Sequence, residues 1–449
     1  MPPGKRRTMN KARLILIVVL CNVAFLFMGM KTHYEKVRTI NRSIQESPLP
    51  DFTPYPFLNL SANKIQYPGI GSNLNKFYEK LDKLIFQGEG KVTMMHMGGS
   101  HVQAGTLSNR MRENLFDLSP GIIGERGFFF PFRLAKTNSP FNIKLEYKGD
   151  WEGCRNAVRS SDCRWGLSGV NATTTDSLAA LKVWTYRSDS SLYQFNAVNI
   201  YHPTHIPQMC IEFADASEIL SIQTDSIGGY TRIVFNALQD SLNFSLVRRD
   251  STETSFVLQG IKYELENSPG LTYNAIGVNG ASVPSYLRCE DFENHLSTNI
   301  PDLVIFGIGI NDAYMTVNEF KKEEFKNNYR QLISRIREVN PDANFLFLSN
   351  NDSYYKRKRA NKNAETVRDA MIELCQEENT AFWDLFEVMG GLNSVRLWED
   401  AGLAKRDKIH FTVEGYLLEA DLLSHSIAQS FGEYLELTYP RITFNPTKP

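Results

Sequence analysis

The chain has 449 residues, of which 49 are Lys or Arg and 50 are Asp or Glu, so its formal net charge at pH 7 is −1. This balance excludes the strongly basic character of nucleic-acid-binding proteins. The length allows two or three domains, or one α/β domain that carries an insertion, and six cysteines are too few for a disulfide scaffold.

The first element along the chain is an apolar run at residues 14–30, LILIVVLCNVAFLFMGM, which follows five Lys and Arg residues. A run of this length is at the short end of what crosses a bilayer, and the basic residues place their side in the cytoplasm. Because no A-x-A cleavage site follows, we predict an uncleaved membrane anchor over residues 1–30, with the rest of the chain extracytoplasmic or periplasmic; a cleaved signal peptide is the alternative. Residues 31–85, which include SPLPDFTPYPF, are predicted to be a linker and lead-in.

The stretch KVTMMHMGGSHVQAGTLSNRMRENL at residues 91–115 combines an apolar run bounded by glycines with a helical period. It predicts a buried strand followed by a helix. Ser100 lies on the turn between them, where the hydroxyl faces outward and the helix aims N–H groups at any charge that develops there. This arrangement suits a nucleophile, although serine is also a favoured helix N-cap.

Residues 136–265 change in character to short alternating runs such as FNIKLEY, ALKVWTY and TRIVFNA, separated by turn residues at intervals of roughly ten. This pattern predicts an all-β sandwich or jelly roll inserted into the α/β part. Cys154 and Cys163 are close in sequence within it and could pair in an oxidising compartment. The chain has no Cys and His spacing typical of zinc sites.

Alternating strand and helix patterns resume over residues 266–449, with the strand candidates LTYNAIG, DLVIFGIG, NFLFLSN and TAFWDLF. Near-continuous apolar strands with helices between them predict a parallel sheet covered on both faces, to which residues 86–135 also contribute. Ligands collect at the carboxyl ends of such strands. The basic run KRKR at 356–359 follows one of these ends; it is interpreted as the exposed start of a helix, although it could touch an anionic polymer.

Four sequence features, each a weak indication of a catalytic site, are expected at this edge of the sheet. Ser100 is the first of them. Asp407 precedes His410 by three residues and can turn back onto one ring nitrogen so that the other faces the serine, unless the two form only an exposed ion pair. Asn311 can aim its side-chain amide into the crevice, or make an Asx turn. Gly280 can bring a bare backbone N–H close to a substrate, or belong to an ordinary glycine loop.

These blocks resemble those of the SGNH (GDSL-type) hydrolases, whose signature residues match Ser100, Gly280, Asn311 and His410, with Asp407 as the orienting carboxylate. The stretch GERGFFFPFRLAKTNSP and the tail from residue 384 are similar to the peptidoglycan O-acetylesterase branch. The resemblance implies a flavodoxin-like α/β fold interrupted by a carbohydrate-module-like β domain. It also implies acyl-ester hydrolysis without a metal or cofactor: Ser100 attacks, His410 is the base, Asp407 steadies it, and Ser100, Gly280 and Asn311 form the oxyanion hole.

One position departs from the family block, which reads Gly-Asp-Ser, because Gly99 stands where the family has the Asp. The rigidity of the nucleophile turn is therefore expected to differ. The leading hypothesis is an anchored esterase that removes O-acetyl groups from a cell-envelope or dietary polysaccharide. The alternatives are an O-acetyltransferase that receives acetyl groups from a membrane partner, and an inactive glycan-binding protein.

Overall fold

A computed structural model describes residue 39, residues 52–118 and residues 122–439. The predicted membrane anchor at 1–30 and the first part of the predicted linker lie outside these residues. None of the helices in the described ranges is both long enough and apolar enough to cross a bilayer. The chain divides into two compact units, Leu49–Ser430 and Met1–Pro48 with Phe431–Pro449. In the latter, the described residues are Thr39 and 431–439, which are helical apart from residue 439.

The regular elements of the described ranges are named in chain order. The helices are α1 (Asn75–Asp82), α2 (Ser100–Gln103), α3 (Thr106–Phe116), α4 (Val283–Leu287), α5 (Phe292–Leu296), α6 (Ile310–Ala313), α7 (Lys322–Val339), α8 (Asn363–Glu378), α9 (Leu385–Val388), α10 (Ser394–Asp400) and α11 (Val413–Thr438). The strands are β1 (Lys91–Gly98), β2 (Gly124–Glu125), β3 (Gly127–Phe129), β4 (Ile143–Lys148), β5 (Glu152–Arg155), β6 (Val170–Thr174), β7 (Ala180–Thr185), β8 (Phe195–Tyr201), β9 (Cys210–Glu212), β10 (Ile219–Asp225), β11 (Tyr230–Gln239), β12 (Leu242–Val247), β13 (Phe256–Leu258), β14 (Gly260–Glu264), β15 (Gly270–Gly277), β16 (Leu303–Gly307), β17 (Asn344–Leu348), β18 (Tyr354–Tyr355), β19 (Arg359–Ala360) and β20 (Ala381–Trp383).

A six-stranded parallel sheet, in the order β2-β15-β1-β16-β17-β20, organises the α/β part. Without the short edge strand β2, its strands follow the order 2-1-3-4-5 along the chain, which is the flavodoxin-like order. Strands β1, β15, β16 and β17 are buried almost throughout, as expected for strands covered on both faces. The predicted parallel α/β fold is therefore confirmed.

Between β2 and β15 the chain forms antiparallel sheets. A five-stranded sheet has the order β10-β11-β8-β14-β3, a four-stranded sheet β4-β7-β12-β9, and a three-stranded sheet β13-β6-β5. The first two face each other: the hydroxyl of Tyr263 donates to the carbonyl of Val183 at 2.8 Å, and the ring of Phe213 contacts those of Phe235 and Phe244. The insertion thus contains two antiparallel sheets that face each other.

The chain changes sheets earlier than the predicted boundary at 135/136. Strand β2 pairs with β15 in the parallel sheet, whereas β3 pairs with β14 in the antiparallel one. The reason is aromatic packing, since Phe128 lies edge-on to Tyr201 and Phe129 edge-on to Tyr263. These phenylalanines belong to the GERGFFFPF stretch, so burial of their rings draws β3 into the sandwich.

Candidate active site

The nucleophile turn is built from glycines at the end of β1. A methyl group on Gly98 would lie 2.2 Å from Cγ2 of Val102, and one on Gly277, at the end of β15, would lie 2.4 Å from the backbone nitrogen of Gln103. Only glycine permits this close approach of strand and helix. Ser100 follows as the first residue of α2, so its backbone N–H has no partner within the helix. The sequence predicted one helix after this strand, but the structure has two, α2 and α3, because the chain turns at Gly105 with a φ of 84°.

Three of the predicted residues meet at this point. Oγ of Ser100 lies 2.8 Å from Nε2 of His410, across a sequence separation of 310 residues. Nδ1 of His410 lies 2.9 Å from Oδ2 of Asp407. The other carboxylate oxygen, Oδ1, accepts the backbone N–H groups of Ile409 and His410, both at 2.9 Å. The alternative of an exposed ion pair away from the serine is therefore wrong.

The hydrogen bonds to Asp407 determine which ring nitrogen carries the proton. Burial by itself would raise the pKa of Asp407. Hydrogen bonds from the backbone N–H and the ring of His410, and from the backbone N–H of Ile409, outweigh burial and lower this pKa below its usual range. The carboxylate is thus ionised and can only accept hydrogen bonds. Nδ1 of His410 must donate to it, so in the neutral ring Nε2 accepts the hydroxyl proton of Ser100.

Asn311 and the loop that contains Gly280 lie beside the nucleophile turn. A methyl group on Gly99 would lie 3.1 Å from Nδ2 of Asn311 and 3.6 Å from the carbonyl oxygen of Ala281. Nδ2 of Asn311 donates one hydrogen to that carbonyl at 2.9 Å, which leaves its second hydrogen for another acceptor. Gly280 has a φ of 83°, which favours glycine, and its N–H donates no hydrogen bond within the described ranges.

The same distances bear on the departure at Gly99. A side chain there would press against the amide of Asn311, because 3.1 Å is tighter than ordinary van der Waals contact. Gly99 has a φ of −98°, so its backbone conformation does not itself require glycine. Its absent side chain leaves space for the amide of Asn311 beside Ser100.

A second histidine packs against His410. The ring of His101 stacks on that of His410, with centroids 5.3 Å apart and planes at 25°, and lies edge-on to Tyr416 and Phe411. Burial, and then the neighbouring His410, lowers the pKa of His101 to about 3, so this ring is neutral. Its Nε2 is enclosed and has no hydrogen-bond partner among the described residues. His101 therefore orients the imidazole by packing.

Sequence reasoning missed the residues that hold the site together. Gln103 accepts the N–H of Asn279 at 2.6 Å and so ties the Gly280 loop to the nucleophile helix. Its place three residues after Ser100, on the same helix face, was an available signal. Asn351 donates to the carbonyl of Ile409 at 3.0 Å and so supports the loop that carries His410, but no local pattern marked it.

No group of three or more His, Cys, Asp or Glu side chains within the described ranges is arranged to hold a metal ion. Two cysteines of the insertion, Cys154 and Cys163, form a disulfide with an S–S distance of 2.05 Å. The guanidinium of Arg288 binds the carbonyls of Asn156 and Val158 within the closed loop. Gly280 faces the same loop, since a methyl group on it would lie 3.8 Å from Cβ of Ala157.

Residues 256–418 match the model of the GDSL-like lipase/acylhydrolase family. The chain carries a GDSL-like acylhydrolase domain. The matched range contains Gly280, Asn311, Asp407 and His410, whereas Ser100 lies before it because the β insertion separates the nucleophile turn from the other blocks. This match, together with the Ser100, His410 and Asp407 contacts, supports an esterase.

Several solved structures are similar to this chain. A structure of a peptidoglycan O-acetylesterase aligns with a TM-score of 0.67 and 20% sequence identity, covering 82% of this chain and 99% of that one. An acetyl xylan esterase (TM-score 0.28, 19% identity) covers 34% of this chain and 79% of its own, and a GDSL-like lipase from Bacteroides thetaiotaomicron (0.28, 19%) covers 36% and 76%. No curated protein sequence matches the chain. The first alignment shows a shared fold over most of both chains.

Proposed function

We propose that this esterase removes O-acetyl groups from a polysaccharide, with Ser100 as nucleophile, His410 as general base and Asp407 as the carboxylate that orients it. The observation that carries the proposal is the unbroken hydrogen-bonded series from Oγ of Ser100 through both ring nitrogens of His410 to Asp407. A nucleophile, a base and an orienting group within hydrogen-bond reach are what ester cleavage through an acyl-enzyme requires.

In the first half of the reaction, Oγ of Ser100 bonds to the ester carbonyl carbon while its proton passes to Nε2 of His410. The carbonyl oxygen gains negative charge, and we assign its stabilisation to the N–H groups of Ser100 and Gly280 and the second amide hydrogen of Asn311. The ionised carboxylate of Asp407 stabilises the imidazolium that forms. Collapse of the intermediate breaks the bond to the sugar oxygen, which leaves with the proton from His410.

In the second half, water replaces the sugar. His410 takes a proton from water as its oxygen bonds to the acyl carbon, and the bond to Oγ of Ser100 then breaks. Oγ recovers its proton from the imidazolium, and the product leaves as acetic acid, which ionises to acetate in solution. Because the base acts in both halves, loss of His410 should stop acylation and deacylation alike.

The polysaccharide part of the proposal is supported by architecture. The aligned peptidoglycan O-acetylesterase is covered almost completely, at 99%, so the likeness is not confined to the catalytic sheet. The closed loop of the insertion lies next to Gly280, so the β insertion borders the crevice and is in position to contact a polymer. The disulfide also supports our proposal of an extracytoplasmic location, where oxidising conditions preserve it.

Two measurements on the full chain test this function. A fluorophosphonate should label the wild type but not Ser100→Ala, and the wild type should release acetate from O-acetylated peptidoglycan or acetylated xylan while Ser100→Ala should not. Labelling without acetate release from any glycan would retain the esterase and reject the polysaccharide. Acetyl transfer to an added glycan acceptor without free acetate would assign the same residues to an acetyltransferase instead.

A further inference from the structure

A cationic hairpin stands beside the catalytic crevice. The run KRKR at 356–359, interpreted from sequence as the start of a helix, instead turns between β18 and β19. On one side the N–H of Tyr354 donates to the carbonyl of Lys408 at 2.9 Å, two residues before His410. On the other, the N–H of Lys356 donates to the hydroxyl of Tyr314 at 2.9 Å, three residues after Asn311. The hairpin is thus fastened to both segments that supply the reacting groups.

The turn itself is unusual for the residues that form it. Lys356 and Arg357 have φ values of 51° and 61°, and the N–H of Lys358 donates to the carbonyl of Tyr355 at 3.2 Å. Two left-handed central residues are typical of a type I′ turn, which strongly prefers Asn and Gly because other L side chains are strained there. Long cationic side chains therefore occupy positions where the backbone favours small ones. Such strain at a crevice is a reason to look for function in the side chains.

The positive charge of the hairpin is balanced only in part by nearby carboxylates. All four cationic side chains are exposed, and none is within ion-pair distance of a carboxylate among the described residues; Glu319 is close enough to respond to the charge of Lys356. The loop that carries His410 adds the exposed Lys405 and Arg406. The chain as a whole has a net charge of −1, so this is a local concentration of positive charge.

Aromatic side chains lie at the base of the same hairpin. The rings of Tyr314 and Tyr355 are 5.1 Å apart, and the charged groups of Lys356 and Arg359 lie over the ring of Tyr355 at 5.1 and 5.5 Å. An aromatic surface beside exposed cations fits a sugar ring that bears an acidic group better than it fits a lipid headgroup layer, which would need only the charges.

From this geometry we propose that the hairpin is a substrate subsite for the acidic groups, carboxylate or phosphate, of an anionic glycan whose acetyl ester lies at Ser100. The inference rests on the proposed polysaccharide function. The fork of Arg357 suits two-point contact with either acidic group, and Lys358 adds a point charge beside it. Neutral acetylated glycans would lack this contact and bind more weakly.

The turn offers a variant that removes charge without disturbing the fold. Lys356→Asn with Arg357→Gly places the preferred type I′ residues in the turn, so the thermal midpoint should be unchanged or higher. The matched control, Lys148→Gln with Arg249→Gln, removes two exposed cations from the β insertion, one in β4 and one in the loop after β12. Each pair is made in the full-length Ser100→Ala background, so binding is measured without turnover. The probes are polygalacturonate, phosphomannan, neutral glucomannan and phosphatidylglycerol vesicles.

We expect the background chain to bind polygalacturonate, phosphomannan or both more tightly than glucomannan. The turn variant should weaken that binding about threefold to thirtyfold, as expected for two exposed charged contacts. The difference should vanish in about 1 M NaCl, and the control should bind like the background. Unchanged affinity of the turn variant, an equal loss for glucomannan, or hairpin-dependent binding to vesicles alone would overturn the subsite. Because binding requires no turnover, these results are distinct from a failure to release acetate.

Discussion

Replacing Asn311 by alanine should slow the reaction severely while leaving the fold nearly intact. The side-chain amide has two hydrogens with separate tasks. One is donated to the carbonyl of Ala281 at 2.9 Å, and its loss should lower the free energy of unfolding by about 1 kcal/mol. The other is available to the developing oxyanion, and removal of one such donor raises the barrier by about 3 kcal/mol, or about 10²- to 10³-fold in kcat.

The assay compares kcat and KM for 4-nitrophenyl acetate with urea unfolding of the same preparations. The expected result is a loss in kcat with little change in KM, because the contact forms mainly in the transition state. Asn236→Ala is the matched control: its amide donates to the carbonyl of Ser217 at 3.0 Å on an exposed part of the insertion. That variant loses a similar hydrogen bond and should retain the wild-type kcat.

Two results would refute this reasoning. Wild-type kcat in Asn311→Ala would remove this amide from the oxyanion hole, whatever its distance from the nucleophile turn. A loss in kcat that follows an equally large loss of folded protein would show that Asn311 acts through the fold. The control separates these outcomes from the general effect of deleting an asparagine side chain.

Three further predictions concern groups near the site. His101→Ala should lower kcat about tenfold because the imidazole of His410 loses its stacked neighbour, whereas His101→Phe should keep most activity; equal losses would deny a packing role. Burial raises the pKa of Glu419 from 4.5 to about 8. Between these two pH values the folded state keeps a proton that the unfolded state has lost, so the free energy of unfolding should fall as the pH rises from 4.5 to about 8. Urea unfolding near pH 4.5 and near pH 8 should show a smaller decrease in the free energy of unfolding for Glu419→Gln than for the wild type. An equal decrease in the two proteins would contradict this. Replacing Cys154 and Cys163 by serine should lower the free energy of unfolding by about 2 to 3 kcal/mol, measured by denaturation; no change would show that the closed loop does not constrain the unfolded chain.

The parallel strands were predictable because their pattern is local. Continuous apolar runs separated by helical periods need only the sequence, and β1, β15, β16 and β17 lie where these runs stand. Strand β8, which lies at the centre of the five-stranded sheet, gave no such pattern, since its run FNAVNIY carries two asparagines. One of them, Asn199, is buried and accepts from Arg232 at 3.0 Å, a partner supplied only by the neighbouring strand.

The conformation of the hairpin at 354–360 could not be predicted from the sequence. A run of four cations has no apolar period, so sequence reasoning could assign it only to an exposed segment, and it chose the wrong element. Its conformation depends on hydrogen bonds to Lys408 and to Tyr314, residues distant in sequence. Its exposure was a property of the residues themselves, whereas its position beside the crevice was a property of the fold.

By itself, the sequence determined the alternation of strands and helices, the inserted β region and the chemical identity of a hydroxyl, an imidazole and a carboxylate, because these depend on residue type and short spacing. Only the tertiary structure decided that the first two lie 2.8 Å apart across 310 residues, and that the amide of Asn311 lies against Gly99. Those contacts depend on which strands are neighbours and on where their carboxyl ends align. That information is held in long-range packing and not in any local pattern of the chain.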